Sequence, residues 1–191
     1  MARHNVREQI LKAGLKCLLE KGFNGVGVQE ITEAAGVPKG SFYNHFESKE
    51  ALGAEVIERY AAGTRRREIL GDKSVAPLLR LRRHFEVLNT IFVGSKFQRG
   101  CLLGNFSAEL SNQSETIRDG LRGLYSRWTK DIETVIREAQ DEGTISSKAM
   151  AEDLAAFLLD AYEGVLLRAR VERGSAPFDR FMQVAFTQIL I

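Results

Sequence analysis

Polar side chains suited to DNA binding are concentrated in a segment that runs from residue 36 to residue 49: Gly-Val-Pro-Lys-Gly-Ser-Phe-Tyr-Asn-His-Phe-Glu-Ser-Lys. Asn and Ser side chains can recognise base edges in the major groove, whereas Lys and Tyr side chains can bind phosphate oxygens. A glycine in such a segment lets the backbone approach the groove closely. The candidate DNA-binding residues, one of them upstream of the segment, are Gln29, Lys39, Gly40, Ser41, Tyr43, Asn44, His45 and Lys49.

Two short helices are predicted to position these side chains. Apolar residues recur at helical spacing in Val28–Ala35, and Gly36 then supplies the left-handed conformation of a tight turn. A second helix is expected over Lys39–Phe46, with Phe42 and Phe46 on its apolar side. Two helices joined by a glycine turn, the second with a polar front, are typical of a helix-turn-helix whose second helix enters the DNA major groove.

The segment from Val37 to Leu52 resembles the N-terminal DNA-binding region of TetR-type repressors. It contains the turn, a Gly-x-x-Tyr-x-x-Phe core and a Ser-Lys-Glu helix start. One departure is the sequence Gly-Val-Gly-Val at residues 25–28, where family members often carry a Ser or Thr whose hydroxyl contacts a phosphate. The resemblance implies an all-α homodimeric repressor that binds double-stranded operator DNA and a small-molecule effector. It implies a helix-turn-helix unit over residues 1–47 and an effector-binding and dimerisation domain over residues 48–191.

Composition agrees with a helical chain but does not by itself indicate DNA binding. The 191 residues include only three prolines, and the net charge is +2, so no strong global field attracts nucleic acid. Two cysteines and no recognisable signal peptide predict a cytoplasmic protein. No apolar run approaches the roughly 18 residues that span a bilayer, so no membrane partner is expected. The scattered histidines and cysteines lack metal-ligand spacing, and no cofactor is expected.

Caps and apolar periodicity predict the remaining helices. Asn5 and Glu8 have the spacing of a capping box at the start of the first helix, and Gly22 ends it. Ser48 is expected to cap a helix that connects the two domains and runs to about residue 70, and the arginine run at 65–67 is predicted to be solvent-exposed. Later helices are predicted at 75–93, 101–110, 114–142, 148–171 and 177–190.

Cys101 is the candidate sensing residue. It follows Gly100 at the predicted start of a helix, and the cations Lys96 and Arg99 precede it in the chain. A helix N-terminus and nearby cations both stabilise a thiolate, which is the reactive form of cysteine. The alternative is a small packing residue, which is also the interpretation of Cys17 within the first helix. The Gly-Cys-Leu sequence at 100–102 resembles that of TetR-type regulators that sense reactive electrophiles or oxidants.

Aromatic and apolar residues of the later helices complete the set of candidate sites. The resemblance places seven aromatic residues on helices that surround the family's effector cavity, although a place in the core is the favoured interpretation of each one individually: Phe85, Phe92, Phe97, Phe106, Tyr125, Trp128 and Tyr162. The last two predicted helices are apolar on more than one side, which indicates a partner subunit. The predicted dimer interface contains Leu158, Val165, Phe181 and Phe186.

Two other functions are compatible with parts of the sequence. In a cysteine-dependent enzyme, Cys101 would be the nucleophile and His84 its base, but no orienting third group or phosphate-binding loop is present. An effector-independent DNA-binding dimer is the other alternative. Because the C-terminal half is mainly apolar, the sequence favours a regulator over an enzyme.

Overall fold

The computed structural model describes residues 5–191, and all regular secondary structure in this range is helical, which confirms the all-α class. The chain divides into two compact units, described separately below. One comprises the residues up to Gly63 together with Cys101–Leu124, and the other comprises Thr64–Gly100 together with Tyr125–Ile191. The helices are α1 (Val6–Lys21), α2 (Val28–Ala35), α3 (Gly40–Tyr43), α4 (Lys49–Gly63), α5 (Arg66–Gly71), α6 (Pro77–Gly94), α7 (Leu102–Leu110), α8 (Glu115–Asp141), α9 (Ala151–Glu172) and α10 (Ala176–Val184), followed by a π-helical turn (Ala185–Ile189).

Helix α1 is the packing element of the first unit. The side-chain oxygen of Asn5 accepts a hydrogen bond from the backbone N–H of Glu8 at 3.3 Å, which confirms the predicted cap. The Glu8 carboxylate instead accepts two hydrogen bonds from Arg59 of α4, at 2.5 and 2.8 Å, and these lower the pKa of Glu8. Ile10 and Leu18 are fully buried on the face that α1 turns toward α2, α3 and α4. This arrangement holds the helix-turn-helix against α4.

The turn between α2 and α3 has the predicted geometry, but α3 is shorter than expected. Gly36 lies in the left-handed region at φ 69° and ψ 31°. Helix α3 covers only Gly40–Tyr43 and not Lys39–Phe46. The flanking backbone bonds, such as Ser41 N–H to Pro38 O and His45 N–H to Phe42 O, span three residues, so tight turns replace the ends of the predicted helix.

The helix predicted from residue 48 to about residue 70 is interrupted. Ser48 caps α4 through its side-chain oxygen, which accepts the Ala51 N–H at 3.1 Å. The helix ends at Gly63, a poor helix former, and α5 begins at Arg66. The predicted exposure of the arginine run is wrong for Arg66, because its side chain is buried and forms an ion pair with Asp131 at 2.9 Å.

Aromatic rings form much of the core of the second unit. The Phe85 ring of α6 lies 5.1 Å from the Tyr162 ring of α9 and 5.0 Å from the Phe181 ring of α10. Phe92 and Phe178 make a further edge contact at 5.7 Å. Edge-to-face contacts of this kind stabilise a core beyond the area that they bury. The predicted spacing of apolar residues on these three helices is therefore a core pattern.

The C-terminal helices lie close to their predicted positions. Helix α8 is continuous over its 27 residues, and Gly143 follows it at φ +75°. The last predicted helix is divided into α10 and the π-helical turn. Among the described residues, no helix is both long enough and apolar enough to span a membrane. No group of three His, Cys, Asp or Glu side chains in that range is arranged to hold a metal ion.

Candidate functional site

Helix α3 presents polar side chains to solvent on an apolar base. The rings of Phe42 and Phe46 are buried and lie 5.6 Å apart. Tyr43 is 58% exposed, and its ring packs edge-on against Phe42 at 5.2 Å. The other exposed candidates are Lys39, Gly40, Asn44 and His45, and Ser41 is half-buried. Because the apolar base fixes α3, these side chains are displayed on a rigid element.

Gln29 lies near the start of α2 and is also exposed. Its side-chain amide donates a hydrogen bond to Glu33 one turn later, at 2.6 Å. Gly27 occupies the N-cap position of α2, and no side chain caps this helix. The first N–H groups of α2 are therefore not capped by the hydroxyl that many TetR-type sequences carry.

Lys49 has a more specific environment than the sequence indicated. Its ammonium group donates hydrogen bonds to the carbonyl oxygens of Phe23 at 3.0 Å and Val26 at 2.8 Å, and it lies 4.2 Å from the centre of the Phe23 ring. Burial lowers the pKa of Lys49, and the charge of Glu109 opposes that shift. A phosphate contact by Lys49 stays a prediction, but two of its three N–H donors bind the turn before α2.

Cys101 occupies the N-cap position of α7, as predicted, but it is only 5% exposed. The hydroxyl of Tyr60 in α4 donates toward its sulfur at a distance of 4.0 Å. A hydroxyl donor at a helix N-terminus is a favourable neighbour for a thiolate. Cys17 is buried in α1, where burial raises the pKa of its thiol and nearby carboxylates add to the shift.

The seven aromatic candidates are divided between the two units. Phe106 belongs to the first unit, where its ring meets that of Phe23 at 5.5 Å. Phe85, Phe92, Trp128 and Tyr162 are buried in the second unit. The remaining two, Phe97 and Tyr125, are half-buried in that unit.

Two polar pairs lie among the aromatic residues of the second unit. The Tyr162 hydroxyl donates to the side-chain oxygen of Asn89 at 2.7 Å, and the Trp128 indole N–H donates to Nε2 of His84 at 3.0 Å. Burial lowers the pKa of His84 to about 3, and the nearby charge of Arg66 adds to the shift. His84 is therefore too weak a base, at neutral pH, for the role that a cysteine-dependent enzyme would require.

Three of the four predicted dimer residues, Leu158, Val165 and Phe181, line a groove between α9 and the segment formed by α10 and the π-helical turn. Leu158, Phe181 and Phe186 are covered within the protomer, whereas Val165 is half-buried. Phe157 is 52% exposed, and it lines the groove with Ala161, Gly164, Val165 and Val184. Sequence periodicity found the two helices, but it could not separate the side chains that face the protomer core from those that remain exposed.

Sequence profiles of known families match both parts of the chain. The profile for "Bacterial regulatory proteins, tetR family" matches residues 10–56, and "Tetracyclin repressor-like, C-terminal domain" matches residues 77–185. The chain belongs to the TetR family. It is a DNA-binding transcriptional regulator, as the structure of its helix-turn-helix also indicates.

Several relatives of this TetR-family regulator are known. It is 41% identical to the HTH-type transcriptional repressor DhaR of Mycobacterium sp., over all of this chain and 95% of DhaR. It is 36% identical to the transcriptional regulator AcuR of Cereibacter sphaeroides, over 91% and 80% of the two chains. The repressor NemR of Escherichia coli is 29% identical over 92% and 89% of the two chains.

Solved structures share the fold of the TetR-family regulator. A regulatory protein TetR from Rhodobacter sphaeroides superposes with a TM-score of 0.88 at 35% identity, over 94% of this chain and 96% of that one. The reduced form of Escherichia coli NemR superposes with a TM-score of 0.84 at 26% identity, over 95% of both chains.

Sequence reasoning missed the residues that hold the turn between α1 and α2 (residues 22–27) of the TetR-family regulator. Glu109 of α7 accepts a hydrogen bond from the backbone N–H of Asn24 at 2.7 Å. Gly22, predicted only to end α1, leaves space for the Glu109 carboxylate. Gly22 and Glu109 are 87 positions apart in the sequence, and no local sequence pattern connects them.

Proposed function

We propose that this TetR-family regulator is a homodimeric repressor that binds an operator through two copies of α3 and leaves it when an effector acts. The proposal rests mainly on the exposed polar side chains of α3 above the buried Phe42 and Phe46. Two recognition helices in successive major grooves require half-sites about 34 Å apart. The names of DhaR and NemR as repressors favour the same direction of control. Because the proposed function requires access to operator DNA, we expect the protein to act in the cytoplasm.

Substitutions on α3 test the DNA contact. We expect Asn44→Ala to weaken binding to the preferred operator by about 1–3 kcal/mol and to leave non-specific binding unchanged, if Asn44 recognises a base. Tyr43→Ala should weaken binding to every sequence, because a phosphate contact carries no sequence information. Fluorescence anisotropy with operator and scrambled duplexes separates the two effects. Gln113→Ala, at an exposed position between α7 and α8, is the matched control. Wild-type binding by both α3 variants would exclude α3 as the recognition helix.

For the effector, we propose a reactive electrophile or oxidant that modifies Cys101. Support comes from the helix N-cap position of the thiol, from its Tyr60 hydroxyl neighbour, and from the similarity to NemR, which has been solved in a reduced form. With a quinone, the thiolate sulfur would bond to a ring carbon, and the displaced electron pair would move to the carbonyl oxygen. That oxygen would then take up the proton lost by the thiol.

An adduct at Cys101 would not fit the packed site. The thiol is 5% exposed and lies directly before α7, so an added group must displace the first turn of α7 or the Tyr60 side chain of α4. Packed interiors have few voids that could take up such a group. Operator release therefore follows if the displaced state binds DNA less well than the original state.

Operator release against electrophile dose tests the sensing role. We expect the wild type to release DNA at lower doses of a quinone than Cys101→Ser, which keeps the size of the side chain but is far less nucleophilic. Cys17→Ser should respond like the wild type, because the pKa of the Cys17 thiol is raised and Cys17 lies inside α1 and not at a helix N-terminus. Mass spectrometry locates the adduct. Coincident dose curves for wild type and Cys101→Ser would exclude Cys101 as the sensor and favour a non-covalent effector.

A further inference from the structure

The turn between α1 and α2 (residues 22–27, here the α1–α2 turn) is held by side chains from two other helices of the first unit. Glu109 and Phe106 reach it from α7, and Lys49 reaches it from the start of α4. Helix α2 starts at Val28, directly after this turn, and contacts α3. The position of the α1–α2 turn therefore affects both helices of the helix-turn-helix.

Glu109 makes the polar contact. Its Oε2 accepts the Asn24 backbone N–H at 2.7 Å, the length of a strong hydrogen bond to a charged acceptor. Its Oε1 lies against Gly22, where an added Cβ would overlap it. Gly22 itself has φ +76° and ψ 175°, a conformation that essentially only glycine adopts. The turn is shaped to admit this carboxylate.

Apolar contacts surround the hydrogen bond. The Phe23 and Phe106 rings meet edge to face at 5.5 Å, and both are buried. Gly53 of α4 lies against the same pair, because a Cβ there would be 3.2 Å from the Phe23 ring and 3.4 Å from the Phe106 ring. Helices α4 and α7 thus both pack against Phe23.

Lys49 of α4 completes the junction. It donates to the carbonyl oxygens of Phe23 and Val26, while Glu109 accepts from the N–H of Asn24, so the turn is held through both kinds of backbone group. The charge of Glu109 also favours the ammonium form of the partly buried Lys49. A carboxylate at position 109 therefore contributes both a direct contact and the electrostatic stabilisation of a second contact.

We propose that Glu109 is a positioning residue for DNA binding, through which α7 holds the α1–α2 turn in the DNA-competent arrangement. Helix α7 has Cys101 at its N-cap and Glu109 in its last turn, and eight residues of helix make a rigid rod about 12 Å long. A displacement at one end is transmitted to the other. The route is separate from the Cys101–Tyr60 contact with α4, and its link to Cys101 rests on the proposed sensing function.

Three substitutions at Glu109 distinguish the effect of its hydrogen bond to the α1–α2 turn from the effects of its charge and of its packing. Glu109→Gln keeps the side-chain length and an acceptor oxygen but removes the charge. Glu109→Asp keeps the charge but is one methylene shorter. Glu109→Ala removes both the acceptor oxygen and the charge. Glu115→Ala, at an exposed carboxylate at the start of α8 in the same unit, is the control. Each is measured as the purified full chain with operator DNA, and thermal melting and sedimentation verify fold and assembly.

Without electrophile, we expect Glu109→Ala and Glu109→Asp to bind the operator about tenfold more weakly, the value of one hydrogen bond to a charged group. Glu109→Gln should retain most of the affinity, and Glu115→Ala all of it. Hydrogen exchange at the Asn24 amide should accelerate in the Ala and Asp variants and stay slow in the Gln variant. Equal operator affinity in the wild type and Glu109→Ala overturns the proposal. Equal loss in the Gln and Ala variants also overturns it, because the hydrogen bond would then not be the cause.

Operator binding after treatment with an electrophile tests the connection between Glu109 and Cys101. In the wild type, a saturating quinone should reduce operator affinity, and in Glu109→Ala the same treatment should reduce it by a smaller factor, since the contact has already been lost. A full wild-type reduction in Glu109→Ala would show that the signal passes by another route and would overturn this step. If Cys101→Ser responds like the wild type, the sensing function fails, yet the result without electrophile still decides the role of Glu109.

Discussion

His84 shows how burial limits the chemistry of a single residue. Its Nε2 accepts the Trp128 indole proton at 3.0 Å, so the neutral imidazole carries its own proton on Nδ1. Protonation of Nε2 would remove this acceptor and place a charge in the core close to Arg66. Both effects disfavour protonation of His84, in agreement with its lowered pKa of about 3. The residue that the sequence offered as a catalytic base is a hydrogen-bond acceptor in the core.

The lowered pKa of His84 predicts that the folded state loses stability in acid. The folded state keeps His84 neutral well below the usual pKa of 6.5, whereas the unfolded chain takes up a proton, so stability is full above pH 6.5 and is lost as the pH falls toward 3. At pH 5 the loss should be about 2 kcal/mol relative to pH 7.5. His84→Gln keeps an acceptor for Trp128 but does not titrate, so its urea-unfolding free energy should change less over this interval. Parallel pH profiles for the two proteins would contradict the assignment.

Two lysines near the recognition helix should differ in their effect on DNA binding. Lys39 is exposed directly before α3, and Lys39→Ala should weaken binding and reduce the slope of log K against log salt by about one. Lys49 uses two N–H donors on the α1–α2 turn, so Lys49→Ala should weaken binding with a smaller change of slope. Salt titrations by anisotropy distinguish them. A reduction by a full unit for Lys49→Ala would show that its remaining donor contacts a phosphate.

At the level of elements, two glycines with positive φ should respond differently to alanine. Gly36 has φ +69° and nothing within 4 Å of an added Cβ, so Gly36→Ala should cost about 1–2 kcal/mol of backbone strain. Gly22→Ala combines a less favourable backbone region with overlap on Glu109 and should cost about 2–4 kcal/mol. Unfolding free energies from urea titration provide the comparison.

A double variant isolates the overlap. Adding Glu109→Ala to Gly22→Ala should recover about 1 kcal/mol, since residues in contact are not additive. The strain of the Gly22 backbone would remain in the double variant. Strict additivity of the two single changes would mean that the carboxylate moves aside at no cost.

The sequence predicted those elements whose signals are local. The Asn5 cap, the Gly36 turn and the Ser48 cap depend on residues within a few positions of each other, and all three are present in the structure. Local signals failed where a distant partner decides the outcome. The break after Gly63 accompanies the burial of Arg66 against Asp131, and periodicity carries no information on that pair.

At the candidate sites, too, local features were predictable from the sequence, whereas contacts with distant residues were not. The position of Cys101 at the start of α7 was predictable from the preceding glycine and the apolar spacing. Its burial was not, because Tyr60 comes from another helix. Likewise, the sequence did not show that Phe106 packs with Phe23 in the first unit, whereas Phe85 packs with Tyr162 in the second.

At the scale of the whole molecule, assembly requires an apolar surface that one protomer leaves exposed. Phe157, Ala161, Val165 and Arg168 recur on α9 at steps of four, four and three, and together with Gly164 they line the groove beside the C-terminal helices. Phe181, although it lines the same groove, has its ring against Phe85 and Tyr162. A charge at Phe181 would therefore disrupt the protomer core and could not test assembly by itself.

A charge at the groove-lining residues of α9 that are not fully buried is the cleaner test of the predicted dimer. Phe157→Glu combined with Val165→Glu places two carboxylates on the interface while the rings of the core stay in place, so the protein should fold as a monomer. Operator affinity should then fall sharply, because one half-site offers only half of the contacts. Met150→Glu, at another exposed apolar residue directly before α9, should remain a dimer with wild-type affinity. Sedimentation that shows an intact dimer for the double variant would place the assembly surface elsewhere.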